Sequence, residues 1–159
     1  DVRNQLFETG TAGRGPAKIE CTKYLGKSGA INLDNVPVIR IAEVYLIRAE
    51  ANYFLGNTAP AVADVRTLKT NRITGYTGSA EETADLALTG PALFDEIFKQ
   101  RRIELAFEGN RFFDLKRLGR DLVKAPHYNT VAFTDIRILP QLPQQDISIN
   151  PNLKQNAGY

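Results

Sequence analysis

Residues 38–55 carry apolar side chains on two separate arcs of one helix, and this constrains the fold more than any other stretch. At about 100° per residue, Ala42, Tyr45, Leu46, Ala49 and Tyr53 fall on one arc, and Val44, Ala51 and Leu55 on another. Arg48 and Asn52 lie between the arcs on one side, Glu43 and Glu50 on the other. A helix that is apolar on two faces is expected to be sandwiched between neighbours, and the small Ala42 and Ala49 permit close approach. Gly56 and Asn57 supply a left-handed terminator.

A second helix is predicted over 60–72. Asn57 or Thr58 can cap it, Pro60 suits its first turn, and Ala61, Val65 and Leu68 recur at i, i+4, i+7. So short a connection makes an antiparallel helical hairpin of the tetratricopeptide type. One such hairpin cannot bury both of its faces, so it must lean on something else. The expected fold class is all-α, a tetratricopeptide-like hairpin plus further helices with long irregular loops.

Around this hairpin, residues 1–36 read as irregular, with Gly10, Gly13, Gly15, Gly26 and Gly29 and one strand-like patch at 22–25. Residues 73–90, with Gly75, Gly78 and Gly90, read as a loop. A third helix is expected over 91–108, starting at Pro91 with Gly90 as its cap. Phe94, Ile97, Phe98 and Leu105 share one face of it, Arg101 projects into that face, and Glu104 and Glu108 flank it. Gly109 and Asn110 break the chain before a short helix, 111–118, that ends at Gly119. Beyond it lie a strand candidate at 135–139 and a tail rich in Pro, Gln and Asn, expected to run extended. The chain thus reads as one domain over 1–159, helical over 38–119, with loop and extended tail over 120–159.

Composition removes several function classes. A net charge of +2 is too small to imply a nucleic-acid partner, and the basic set Lys116, Arg117, Arg120 and Lys124 lacks interleaved aromatics. No apolar run reaches the roughly 18 residues of a membrane span. The first residues lack the apolar core of a secretory signal and do not start with Met, so the chain is expected to be a fragment or a processed form. With a single Cys21 and a single His127, no zinc site of the usual kind can be built. Cys21 follows the charged Ala17-Lys18-Ile19-Glu20 where a lipid-attachment cysteine would need apolar residues, so it reads as a packing residue. Ser28, Ser79 and Ser148 do not sit in nucleophile elbows, and no glycine-rich phosphate loop precedes a helix. No cofactor or metal is expected.

Glu43 and Glu50, seven residues apart, lie about 10 Å apart along the axis, slightly beyond the range of an inverting glycosidase pair. Their expected role is structural, pairing with arginine where helices cross, with Arg101 as the partner. Arg102, Glu104, Glu108, Arg111, Asp114 and Arg117 alternate in charge around Gly109 and read as a salt-bridge network, with Asp114 and Arg117 one turn apart. Sugar binding calls for aromatic faces with amide, carboxylate and guanidinium groups. Two loop clusters offer them, Tyr76 with Asn71 and Arg72, and His127 with Tyr128 and Asn129. Tyr24, Tyr45 and Tyr53 are expected in the core.

Three blocks, in order, resemble the SusD/RagB family. VIRIAEVYLIRAEA at 38–51 is similar to that family's R-x-A-E-x-x-L-x-x-A-E-A helix. QRRIELAFEGNRFFDLKRLG at 100–119 resembles its E-R-x-x-E-L-x-x-E-G-x-R-W-x-D-L-x-R block. Leu142-Pro143, then Asn150 to Leu153 and Gln155 to Tyr159, resembles L-P-I-P…N-P-N-L-x-Q-N-P-G-Y. The chain departs at Gln100, Phe112 and Ala157, where Glu, Trp and Pro are usual.

The resemblance implies an outward-facing outer-membrane lipoprotein that captures oligosaccharides, or in some relatives peptides, without chemical turnover. It also implies a TonB-dependent, SusC-like transporter as partner. The signal peptide, the lipidated cysteine and several repeat helices would then lie upstream of Asp1, and that upstream part would be a partner too. The alternative is a protein-interaction scaffold or peptide-binding module of the same helical-repeat type.

Overall fold

The computed structural model describes residues 1–9, 19–24, 26, 29, 33–35, 37–123 and 129–159. Among them are six α-helices and one two-stranded sheet, so the fold is all-α as expected. The chain forms two compact units, Asp1–Phe107 and Glu108–Tyr159.

In the first unit, α1 (Ile41–Phe54) and α2 (Thr58–Thr70) form the hairpin, joined by three residues. Ala49 and Ala61 are fully buried in one cluster, Arg48 bonds Asp64, and Leu46 packs with Leu68. Partners on α2 therefore advance as positions on α1 recede, which is the antiparallel arrangement. The α4 helix (Gly90–Glu104) closes the core with Leu93 and Ile97 against Ala49, Val62 and Val65. Glycine-like bulk at Ala49 and Ala61 lets the backbones approach, and Leu93 and Ile97 fill the groove beside them.

The sandwich expected for α1 forms on one side only. Ala42, Leu46 and Ala49 are buried, but on the opposite arc Val44 is 42% and Leu55 74% exposed. Tyr45 and Tyr53 are half-buried, not fully core.

Residues 73–90 are not all loop, because α3 (Ala80–Leu86) lies within them. Ser79 caps α3 by accepting from the Glu82 amide at 3.1 Å, while the Glu82 carboxylate accepts from the Gly78 amide at 2.6 Å. That Ser-x-x-Glu pattern is a start signal the glycines obscured. The α4 helix begins at Gly90 with Thr89 as the cap residue, and ends at Glu104, four residues short of the expected Glu108. The chain turns at Phe107, a non-glycine residue at φ 64°, whose ring packs on Phe7 at 5.8 Å between centroids.

Upstream, β1 (Phe7–Thr9) pairs antiparallel with β2 (Ile19–Cys21), with Phe7 opposite Cys21. The strand thus precedes the patch expected at 22–25. Thr22 still bonds back to Leu6, but Lys23 and Tyr24 turn towards the end of α4. Tyr24 is half-buried rather than core, and Leu25 lies outside the described residues.

In the second unit, α5 (Asn110–Arg117) starts from Gly109 in the left-handed region. Leu122 and Val131 exchange amide–carbonyl bonds in an isolated antiparallel bridge. The strand candidate at 135–139 is instead a 3-10 turn, because the Asp135 carboxylate accepts from the Arg137 amide and closes the backbone. The tail is also not wholly extended: Pro143 leads into α6 (Gln144–Ile149). After α6, the Gln155 amide both donates to and accepts from the Leu142 backbone, at 3.0 and 2.9 Å, as a strand neighbour would. Asn156 bonds Pro140 O, and the Tyr159 hydroxyl bonds Leu139 O, so side chains seal this tail where no sheet does.

Candidate functional site

A cavity of about 700 Å³ lies in the first unit where the N-terminal segment meets the ends of α2 and α4. Lys23, Tyr24, Asp34, Asn35, Arg40 and Arg72 supply its polar wall, with Glu104 among them. Val2, Leu6, Leu33 and Pro37 supply apolar surface.

Glu104 organises this wall. Arg72 grips its carboxylate with two parallel bonds of 3.0 and 2.9 Å, the bidentate geometry that suits a planar guanidinium. Arg40 reaches the same carboxylate at 2.9 Å and the Glu104 carbonyl at 2.8 Å. Arg3 lies 3.6 Å away, itself bonded to Asp1 and to the Gln100 amide oxygen. Lys23 donates to the Ala106 carbonyl at 2.8 Å. Burial alone would raise the Glu104 pKa, but bonds and charge from Arg72 and Arg40 outweigh it and hold the carboxyl at about 2. A carboxyl ionised down to that pH cannot serve as a general acid near neutrality.

The expected ligand residues of the first unit have different surroundings. Asn71 is exposed at the end of α2, where its amide donates to the Thr67 carbonyl. Arg72 lines the cavity. Tyr76, expected to be an exposed loop aromatic, is only 1% exposed, because its hydroxyl donates to Asp85 at 2.6 Å. Its ring packs under the Lys69 ammonium, 5.3 Å from the centroid. Lys69 is itself 1% exposed and touches Asp85, Glu81 and Glu96 at 2.6, 2.7 and 3.1 Å. Burial would lower the Lys69 pKa, yet the three carboxylates raise it above the usual lysine range. Asn129 is exposed, and His127 and Tyr128 lie outside the described residues.

Of the expected ion-pair residues, Glu43 meets Arg101 at 3.4 Å, with both side chains largely buried. Glu50 is half-buried on the same helix. Asp114 is buried and accepts from Arg117 at 3.1 Å one turn on, while Glu108 and Arg111 are half-buried. Sequence reasoning missed Arg3 and Arg40 as partners of Glu104. Their signal was faint: Arg40 begins the Arg-x-Ala-Glu motif ahead of α1, and Arg3 sits in a segment without periodicity. Among the described residues, no helix is long and apolar enough to cross a membrane.

Comparison with known proteins adds family information to this geometry. A sequence model of the SusD family matches residues 18–135. "SusD-like protein P2" of Formosa agariphila is 34% identical over 142 residues, covering 84% of this chain and 28% of that protein. "SusD-like protein P38" of the same organism is 29% identical over 133 residues, covering 83% of this chain and 26% of that protein. The chain therefore spans about a quarter of the length of these curated relatives.

Proposed function

The chain belongs to the SusD family, and on that premise we propose that it is part of a protein that captures oligosaccharides at the cell surface without turning them over. In this reading the whole protein faces outward from the outer membrane, held by a lipid on a cysteine outside residues 1–159. It hands its ligand to a TonB-dependent, SusC-like transporter. The family match carries the proposal. The geometry is consistent with it: the cavity offers guanidinium and amide donors beside one tyrosine, groups suited to sugar hydroxyls and ring faces. Of the pair Glu43 and Glu50, Glu43 is engaged by Arg101, and Glu104 in the cavity wall is engaged by Arg72.

Within this chain, Tyr24, Asn35 and Arg72 are the proposed ligand contacts, with Asn71, His127, Tyr128 and Asn129 as further candidates. The larger part of the ligand surface is assigned to the rest of the protein. The test is calorimetric titration of the full gene product with a panel of oligosaccharides, with reducing ends assayed in parallel. Saturable heat with a constant reducing-end count is the expected result. Growing reducing ends overturn the non-catalytic reading, and binding to peptides or a protein partner alone favours the interaction scaffold.

A further inference from the structure

The cavity of the first unit carries more positive than negative charge. Among its described lining residues, Arg3, Lys23, Arg40 and Arg72 stand against the two carboxylates Asp34 and Glu104. Asp1 holds Arg3 at 2.5 Å and takes that guanidinium out of the balance. Three cations then face two anions, an excess of one positive charge. No residue outside the described ones is Asp or Glu, so none of them offsets it. The carbonyls of Glu104 and Ala106, which accept from Arg40 and Lys23, carry no net charge. The side chains of Arg40 and Arg72 are only 27% and 29% exposed, so the excess sits where water screens it poorly. A cleft with low-dielectric walls concentrates the field of an unbalanced charge on whatever enters it.

We propose that this cavity takes an acidic sugar unit, one bearing a carboxylate or a sulfate ester, with Lys23 and Arg72 as the residues that select for its charge. The inference rests on the capture reading above and narrows the ligand to anionic oligosaccharides. Both acidic groups offer the wall the same chemistry, a delocalised oxyanion with two or more acceptor oxygens. Arg72 spends Nε and Nη2 on Glu104, while its Nη1 makes only a 3.4 Å contact to the Asn71 carbonyl, weaker than the bond an oxyanion offers. Leu6, Leu33 and Pro37 in the same lining select a glycan over a bare inorganic ion. An ion would leave that apolar surface wet, whereas the C–H face of a sugar ring covers it, and about 700 Å³ is a volume that holds a small organic ligand.

The test is calorimetric titration of the full gene product with matched pairs of oligosaccharides of equal length. Uronate oligomers are compared with their carboxyl-reduced forms, and sulfated neutral oligomers with their desulfated forms. The expected result is that one acidic member binds at least about tenfold tighter than its neutral counterpart, by a ratio that falls with added salt. The pair that shows the preference identifies carboxylate or sulfate as the recognised group. Lys23→Gln and Arg72→Gln are each expected to cut the ratio by about threefold or more, and Lys154→Gln, the same charge change at an exposed position of the second unit, leaves it unchanged. Thermal unfolding of each variant is measured alongside, and Lys23→Gln keeps the test decisive where Arg72→Gln does not fold. Neutral oligosaccharides bound as tightly as acidic ones strike this inference alone and leave the capture reading standing. A preference that survives in Lys23→Gln and Arg72→Gln, or falls equally in Lys154→Gln, overturns its assignment to the cavity. Binding of no oligosaccharide at all overturns the capture reading and this inference with it.

Discussion

The first unit contains two buried charge clusters of opposite sense. At the end of α4 a single carboxylate, Glu104, is surrounded by Arg3, Arg40 and Arg72. Beneath α3 a single ammonium, Lys69, is surrounded by Glu81, Asp85 and Glu96. The side-chain chemistry fits each role. A planar guanidinium grips one carboxylate through two parallel bonds, so several arginines can share Glu104 from different directions. A compact ammonium has three donors and no plane, so it can face three separate carboxylates. What differs is the surroundings. The Glu104 cluster opens into the cavity, whereas Tyr76 and α3 close over Lys69. A charge cluster is thus not itself a mark of function; the space beside it decides what it can do.

The largest expected effect is on the arginine side. Glu104→Gln removes the carboxylate that Arg40 and Arg72 grip, and should destabilise the protein by about 3–5 kcal/mol. Urea unfolding measures this, and a loss below about 1 kcal/mol would show that the arginines find other partners. The pH dependence gives an independent check. The Glu104 pKa is depressed on folding from 4.5 to about 2, so its stabilisation is complete above 4.5 and is lost as pH falls through about 2. Glu104→Gln should flatten the unfolding curve across that window, and an unchanged slope there would assign the acid sensitivity elsewhere.

Lys69→Met is expected to cost about 2–4 kcal/mol, because three carboxylates are then left close together. Like the loss from Glu104→Gln, this one should shrink in acid. A loss that does not vary with pH would contradict the account of that cluster. Tyr24→Ala should weaken oligosaccharide binding by about 1 kcal/mol through lost ring contact, while Lys69→Met leaves the affinity of the folded protein unchanged. Equal effects from both would erase the distinction between open and closed clusters. The smallest effect, near 1 kcal/mol, is expected for Tyr76→Phe, which removes one buried hydroxyl bond to Asp85. It is read as a shift in the urea midpoint with affinity intact.

The fold was legible where local chemistry sets it. The hairpin follows from periodicity and the Gly56 stop, and the α4 helix from Pro91 and its apolar face. What escaped depends on residues far apart in the chain. Tyr76 sits among glycines and looks like a loop aromatic; only the Asp85 carboxylate nine residues on, supplied by α3, pulls it inside. Arg3 and Glu104 are brought together across about the whole first unit, and no local pattern pairs them. The short α3 and α6 helices have few apolar residues to signal them; a cap and a proline mark their starts instead.

Glu104 is held as an anion that anchors the cavity wall through Arg40 and Arg72. The most direct test is the carbon-13 chemical shift of its side-chain carboxyl, followed as a function of pH in the folded protein. A carboxyl still ionised at pH 4, with a midpoint near about 2, is the predicted result. A midpoint above about 5 would place Glu104 in the range of a working acid and contradict the account.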